Sequence, residues 1–201
     1  MNTKDIIIKE AREIFLKKGF KKANIRDIAN EAEVSTGAIY GYFVNKETLF
    51  EAAIGPLPKE YYFKYLKSVS KIKDVNYLNM KTEVKKNHFD GVELFLDYVY
   101  ADIDAWKLVV NGKGTNYNKH LNSIVEKEIE TFNDFLVVLE NANIPFCRPN
   151  KYVINSIISN LVDDLVAVIK LDMHRDVAME YSKQIAAFFY KGCIDLLKIE
   201  F

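Results

Sequence analysis

Three side chains between residues 40 and 46 can hold phosphate oxygens. The hydroxyls of Tyr40 and Tyr42 can donate hydrogen bonds, and Lys46 adds charge beside the backbone amides of a helix start. They follow Ser35, Thr36, Gly37 and Ala38, small residues that let a helix backbone approach base edges closely. Ile39 and Phe43, four apart, face the other way. A short helix with an apolar inner edge and a small, hydroxyl-bearing outer edge has the chemistry to lie in a DNA major groove. The plain alternative makes Tyr40 and Tyr42 half-buried packing aromatics and Lys46 a solvated charge; the combination at these spacings favours phosphate.

The surrounding elements position that helix. Helix 1 is expected over residues 4–18, capped by Thr3 or Asn2, with Ile7, Ala11, Ile14 and Phe15 on one stripe and Gly19 as its stop. Helix 2 follows Asn24, with Ile25, Ile28, Ala29 and Ala32 inward. It ends near Ala32 and helix 3 begins after Ser35, so the connection has the length of a helix-turn-helix turn. The motif therefore spans about residues 24–43. Asn45 caps helix 4, whose stripe is Leu49, Phe50, Ala53 and Ile54. Gly55-Pro56-Leu57-Pro58 then breaks the helical pattern and places a domain junction, giving domains 1–54 and 55–201.

Downstream, Pro58 opens a helix carrying Tyr61, Tyr62, Tyr65 and Leu66, and the polar stretch 71–86 reads as loop or frayed helix. Long helical patterns cover about 84–110, 118–140, 151–171 and 175–199, with a glycine-containing loop at 111–116 and Pro145 and Pro149 around a turn. No segment alternates as a strand and no fixed-period repeat occurs, so the fold class is all-α: a helix-turn-helix domain followed by a helical bundle.

Composition sets limits. Lys and Arg total 28, as do Asp and Glu, and this zero net charge argues against a non-specific polyanion binder. Residues 1–50 carry nine Lys or Arg against seven Asp or Glu, an excess too small to argue DNA binding alone, although Lys17, Lys18, Lys21 and Lys22 cluster at one helix end. Two distant cysteines, Cys147 and Cys193, predict a reducing cytoplasm rather than a disulfide framework. No uninterrupted apolar run approaches the ~18 residues of a membrane span, and no membrane partner is expected. His88, His120 and His174 have no metal-ligand spacing with the cysteines, and no phosphate loop, nucleophile elbow or catalytic pair is present; neither metal, cofactor nor enzymatic activity is expected.

The second domain is dense in aromatics, most of them core. Tyr98, Asp102, Trp106, Tyr117 and Phe132 are the expected ligand-pocket residues, for an apolar or aromatic effector. In the last two helices, Ile157, Leu161, Leu165, Tyr181, Ile185, Phe188 and Phe189 give more apolar surface than one core face needs, which predicts a homodimer interface.

The pattern Ile28-Ala29, Ala32-x-Val34-Ser35-x-Gly37-x-Ile39-Tyr40-x-Tyr42-Phe43-x-x-Lys46-x-x-Leu49 resembles the TetR family of bacterial transcriptional regulators, densely over about residues 5–54. The segment Trp106-Lys107-Leu108 with Gly114-Thr115, and Phe188 to Leu197, resemble parts of some members more thinly. The resemblance implies a dimer, three N-terminal helices per subunit on double-stranded operator DNA, and a larger helical domain for a small molecule. It also implies DNA contacts from Asn24, Arg26, Thr36, Gly37, Tyr40, Tyr42 and Lys46. Arg26 is the best side chain for bidentate base reading. The chain departs from the pattern at Glu33, where the family usually has glycine in the turn, at Gly41 in mid-helix, and at the Gly55–Pro58 break. A ligand-released repressor is the leading expectation, with activation equally allowed. The alternatives are a helical small-molecule or lipid carrier and a redox-responsive regulator acting through Cys147 and Cys193.

Overall fold

Short polar side chains set the starts of the N-terminal helices. Asn2 caps α1 (Thr3–Lys22) in a capping box with Asp5, Asn24 caps α2 (Ile25–Glu31), Ser35 caps α3 (Thr36–Tyr42), and Asn45 with Thr48 boxes the start of α4 (Lys46–Ile54). The computed structural model describes residues 2–70, 80–112 and 115–199, with backbone alone at 80 and 116–122. Ten α-helices and no strand occur among the described residues, so the protein is all-α. The remaining helices are α5 (Leu57–Val69), α6 (Met80–Ala101), α7 (Ile103–Asn111), α8 (Asn116–Asn141), α9 (Lys151–Lys170) and α10 (Arg175–Leu197).

The chain forms two compact units, Met1–Lys59 with Asp102–Leu121 and Glu60–Ala101 with Asn122–Phe201. In the first, α1 packs on α2, α4 and α7, and α2 packs on α3. Its core holds the stripes expected from the sequence, Ile7, Ala11, Ile14 and Phe15 with Leu49, Phe50, Ala53 and Ile54, and adds Ala105, Leu108 and Val109 of α7. Phe50 meets Phe15 edge-on at 4.9 Å and lies 4.9 Å from Phe20, pairs of the kind worth about 0.5–1.5 kcal/mol beyond area burial. Gly19 interrupts α1 at φ 74°, in the left-handed region open to glycine, and this turns Phe20 back onto that cluster. Gly55 ends α4 in the same region at φ 78°.

Two expectations change along the chain. Residues 71–79 of the expected loop lie outside the described residues, whereas 80–86 form the first turns of α6. The continuous helix expected over 84–110 is two helices, because the Asp102 carboxylate accepts the Ala105 amide at 3.1 Å and caps α7. A short carboxylate that satisfies a helix-start amide makes a break affordable at one residue. Asp102 also pairs with Arg12 of α1, which fastens α7 to α1.

In the second unit, Ala178, Ser182 and Ala186 recur every fourth residue on α10 and are fully buried, so α10 can lie close to α6 and α9. His88 of α6 hydrogen-bonds the Ala186 carbonyl through Nε2 at 3.0 Å. The α8–α9 connection carries Pro145 and Pro149, and its Cys147 amide donates to the Leu197 carbonyl at 2.7 Å. Among the described residues α9 is long and apolar enough to cross a membrane on length and composition, with mean hydropathy 1.5. The run is broken by Asp163 and Asp164, which is why an uninterrupted-run criterion passed over it, and its apolar residues Ile157, Leu161 and Leu165 line an internal cavity.

Candidate nucleic-acid interface and ligand cavity

The turn between α2 and α3 is a Schellman motif. The Val34 amide donates to the Ala29 carbonyl at 2.9 Å and the Glu33 amide to Asn30 at 3.2 Å, with Glu33 at φ 53°. The chain thus re-enters at Ser35, whose hydroxyl accepts the Ala38 amide at 3.1 Å. Ile39 and Phe43 are buried inward, which turns the opposite edge of α3 outward: Tyr40 is 56% and Tyr42 50% exposed. Gly37 and Gly41 are exposed beside them, and Thr36 and Ala38 half-buried. Val44, immediately after α3, is 85% exposed. Sequence reading passed over it because an apolar residue outside the Ile39–Phe43 stripe carries no periodic signal.

Asn24 and Arg26 are exposed at the start of α2, where the Asn24 side-chain Oδ1 accepts the Arg26 amide at 3.0 Å. Of the lysine cluster, Lys18 pairs with Asp27 at 2.7 Å, while Lys17, Lys21 and Lys22 stand exposed. Lys46 is differently placed from the phosphate-holding role expected of it. Its ammonium donates to the Phe20 carbonyl at 2.8 Å and the Ala23 carbonyl at 3.1 Å, closing the end of α1. Carbonyls left open at a helix end draw a nearby cation, and here they take Lys46. The start of α4 keeps a helix N-terminus's preference for anions.

The second unit encloses a cavity of about 420 Å³ between α5, α6, α8, α9 and α10. Its wall is mainly apolar and aromatic, with Tyr61, Tyr65, Phe95 and Phe132 among the lining side chains. Its ionisable side chains include Glu128 of α8, Asp90 and His88. For Glu128, burial raises the pKa above the ordinary carboxylate value, and the Tyr65 hydroxyl opposes that shift. Burial likewise raises Tyr65, with the Glu128 charge as the next cause, and its hydroxyl has no hydrogen bond of normal geometry among the described residues. Burial raises Tyr61 too, again with Glu128 contributing. It lowers His88, with the bond to the Ala186 carbonyl acting the other way.

Of the expected pocket residues, Phe132 lines this cavity. Tyr98 is not among the lining residues; its ring is tilted against that of Tyr61 at 5.8 Å, with the Lys64 ammonium 5.1 Å over it. Asp102 is the α7 cap, Trp106 is buried within α7 two turns from it at most, and the Tyr117 side chain lies outside the described residues. Of the expected interface residues, Ile157, Leu161, Leu165 and Phe189 line the cavity, Tyr181 and Ile185 are half-buried, and Phe188 is 72% exposed. Glu128 was passed over because one carboxylate in a charged helix gives no sign of facing inward. Cys147 and Cys193 are free thiols, and burial raises the Cys193 pKa, which disfavours the reactive thiolate. Among the described residues no group of three His, Cys, Asp or Glu side chains could hold a metal ion.

A family profile described as "Bacterial regulatory proteins, tetR family" matches residues 7–53, the helices just described. Residues 7–53 are therefore similar to the N-terminal DNA-binding segment of TetR-family regulators. Among similar proteins, the HTH-type transcriptional regulator UidR of Escherichia coli K12 is 38% identical over 52 residues, 26% of each chain. The chain thus matches only about a quarter of that regulator's length. The HTH-type transcriptional regulator QacR of Staphylococcus aureus is 24% identical over 173 residues, covering 83% of this chain and 85% of that one. A TetR-like transcriptional regulator from Rhodococcus sp. RHA1 shares the fold, with TM-score 0.58 at 19% identity over 95% of both chains. These relatives are named as transcriptional regulators, a non-enzymatic class. The TetR profile ends at residue 53, so the cavity lies wholly outside it.

Proposed function

We propose that this chain is a sequence-specific, DNA-binding transcriptional regulator of the cytoplasm. It acts as a homodimer that represses from a palindromic operator and is released by a small apolar or aromatic effector in the second unit's cavity. The observation that carries the reading is α3, a helix whose inner edge is buried while Tyr40 and Tyr42 project outward beside Gly37 and Gly41. Tyr40 and Tyr42 hold phosphate oxygens, Arg26 reads bases, and Asn24, Ser35, Thr36, Gly37 and Ala38 bring the backbone close. Few side chains can form paired base contacts, so DNA shape carries part of the specificity.

Dimerisation is supported by the outward apolar residues Tyr152 and Val153 on α9 and Val177 and Phe188 on α10. Two recognition helices about 34 Å apart then match a two-fold operator. The chain passes between the two units three times, after Lys59, after Ala101 and after Leu121, and at the second passage Asp102 caps α7 and is tied to Arg12. A coupling of about 1–3 kcal/mol between the two sites suffices for 5–150-fold release. The test is binding of the full chain, at physiological salt, to the DNA flanking its own gene and to a shuffled duplex of equal composition. Preference for the flanking DNA is expected; equal affinity for both overturns the proposal.

A further inference from the structure

The cavity of the second unit has a charge asymmetry that an effector must meet. Two carboxylates line it, Glu128 within and the exposed Asp90, and none of its described lining residues is Lys or Arg. The one imidazole on the wall, His88, is engaged with the Ala186 carbonyl. The Tyr65 residue is 6% exposed, and its hydroxyl lacks a well-formed hydrogen bond among the described residues while lying against Glu128. A carboxylate among aromatic rings, with no Lys or Arg among the described residues that line the cavity, is an incomplete electrostatic unit. An inserted cation completes it twice over, through charge on Glu128 and through the ring faces of Tyr61 and Tyr65.

We infer that the cavity is built for a hydrophobic organic cation, with Glu128 as its counter-ion, Tyr61 and Tyr65 around the charged centre, and Phe95 and Phe132 against the apolar body. The inference rests on the proposal that this cavity holds the effector, and it narrows that effector from apolar to apolar and positively charged. A volume near 420 Å³ admits a fused aromatic ring carrying a quaternary ammonium group. Asp90, exposed, adds a second negative charge that draws the same sign of ligand from solution.

The experiment is direct calorimetric titration of the full chain, without DNA. The probes are (naphthylmethyl)trimethylammonium, its neutral isostere with carbon in place of nitrogen, and naphthylacetate. The cation should bind at least tenfold more tightly than the isostere, and naphthylacetate more weakly still. Glu128→Gln should lower cation affinity at least tenfold and leave the isostere unchanged, while Glu128→Asp should keep the preference for the cation. Equal binding of cation and isostere to the wild type overturns the inference without any variant, as does a Glu128→Gln chain that keeps full cation affinity. Binding to the flanking DNA, measured on the same preparation, reports separately on the proposed function.

Discussion

The Lys46 ammonium donates to the Phe20 carbonyl at 2.8 Å and sits 4.6 Å from the centroid of the same residue's ring. With a further bond to the Ala23 carbonyl, the side chain is held to the end of α1. It works for the DNA-binding surface by fixing α4 against α1. Lys46→Met is expected to destabilise the fold by about 1.5–3 kcal/mol, the range for bonds involving a charged group. A side chain held in this way contributes no counterion release, so the slope of log affinity against log salt should stay unchanged. A loss of about 0.9 from that slope would instead mean a direct phosphate contact.

Glu33 occupies the position after the α2 cap at φ 53°, where a non-glycine residue is strained by roughly 1 kcal/mol. Glu33→Gly should therefore raise stability by up to about 1 kcal/mol in urea unfolding. It should also strengthen DNA binding, because it removes a negative charge from the turn leading into α3. Lower stability would show that the Glu33 side chain makes contributions that outweigh its backbone strain.

The N-terminal architecture was readable because its signals are local. Asn24, Ser35 and Asn45 cap within three residues, and stripes such as Leu49–Phe50–Ala53–Ile54 follow one helix period. The features that escaped depend on distant pairings. Asp102 looked like a pocket acid until Arg12, ninety positions away, supplied its partner. Glu128 carries no sign of facing inward in the sequence, and only the approach of Tyr65 from α5 gives it one. The apolar surplus on α9 and α10 is visible in the sequence as one set, and pattern alone could not divide it between an internal cavity, at Ile157, Leu161 and Leu165, and an outward face at Phe188.

That outward face makes Phe188 a sharp test of assembly. A stable dimer buries about 800 Å² per partner, and an acidic side chain at its centre is costly to desolvate. Phe188→Asp should shift sedimentation at micromolar concentration from dimer to monomer while leaving helicity intact, since the side chain is 72% exposed in the single chain. A wild-type protein that sediments only as monomer removes the dimer from the account.

Burial raises the Glu128 pKa above its ordinary value of 4.5, so the folded state holds the proton more tightly than the unfolded chain. The stabilising contribution of protonation is then full below about pH 4.5 and is lost as pH rises through the folded-state pKa. Glu128→Gln, a permanent mimic of the protonated form, should unfold near the wild-type temperature at pH 4 and at a higher temperature at pH 7.5. The Tyr65 hydroxyl opposes part of the shift, so Tyr65→Phe should enlarge the pH dependence. His88, on the same wall, is lowered by burial and adds an opposite slope as pH falls below 6.5, which His88→Gln isolates.

The central claim is that the outward edge of α3 binds DNA, and Tyr42, 50% exposed on that edge, tests it most directly. The measurement is an anisotropy titration of the full chain against labelled DNA flanking its own gene, with wild type and Tyr42→Ala side by side. Losing a hydrogen bond to phosphate predicts an affinity drop of about five- to thirtyfold, from roughly 1–2 kcal/mol, with unfolding temperature unchanged because the ring packs little core. Equal affinity of the two proteins for that DNA contradicts the claim.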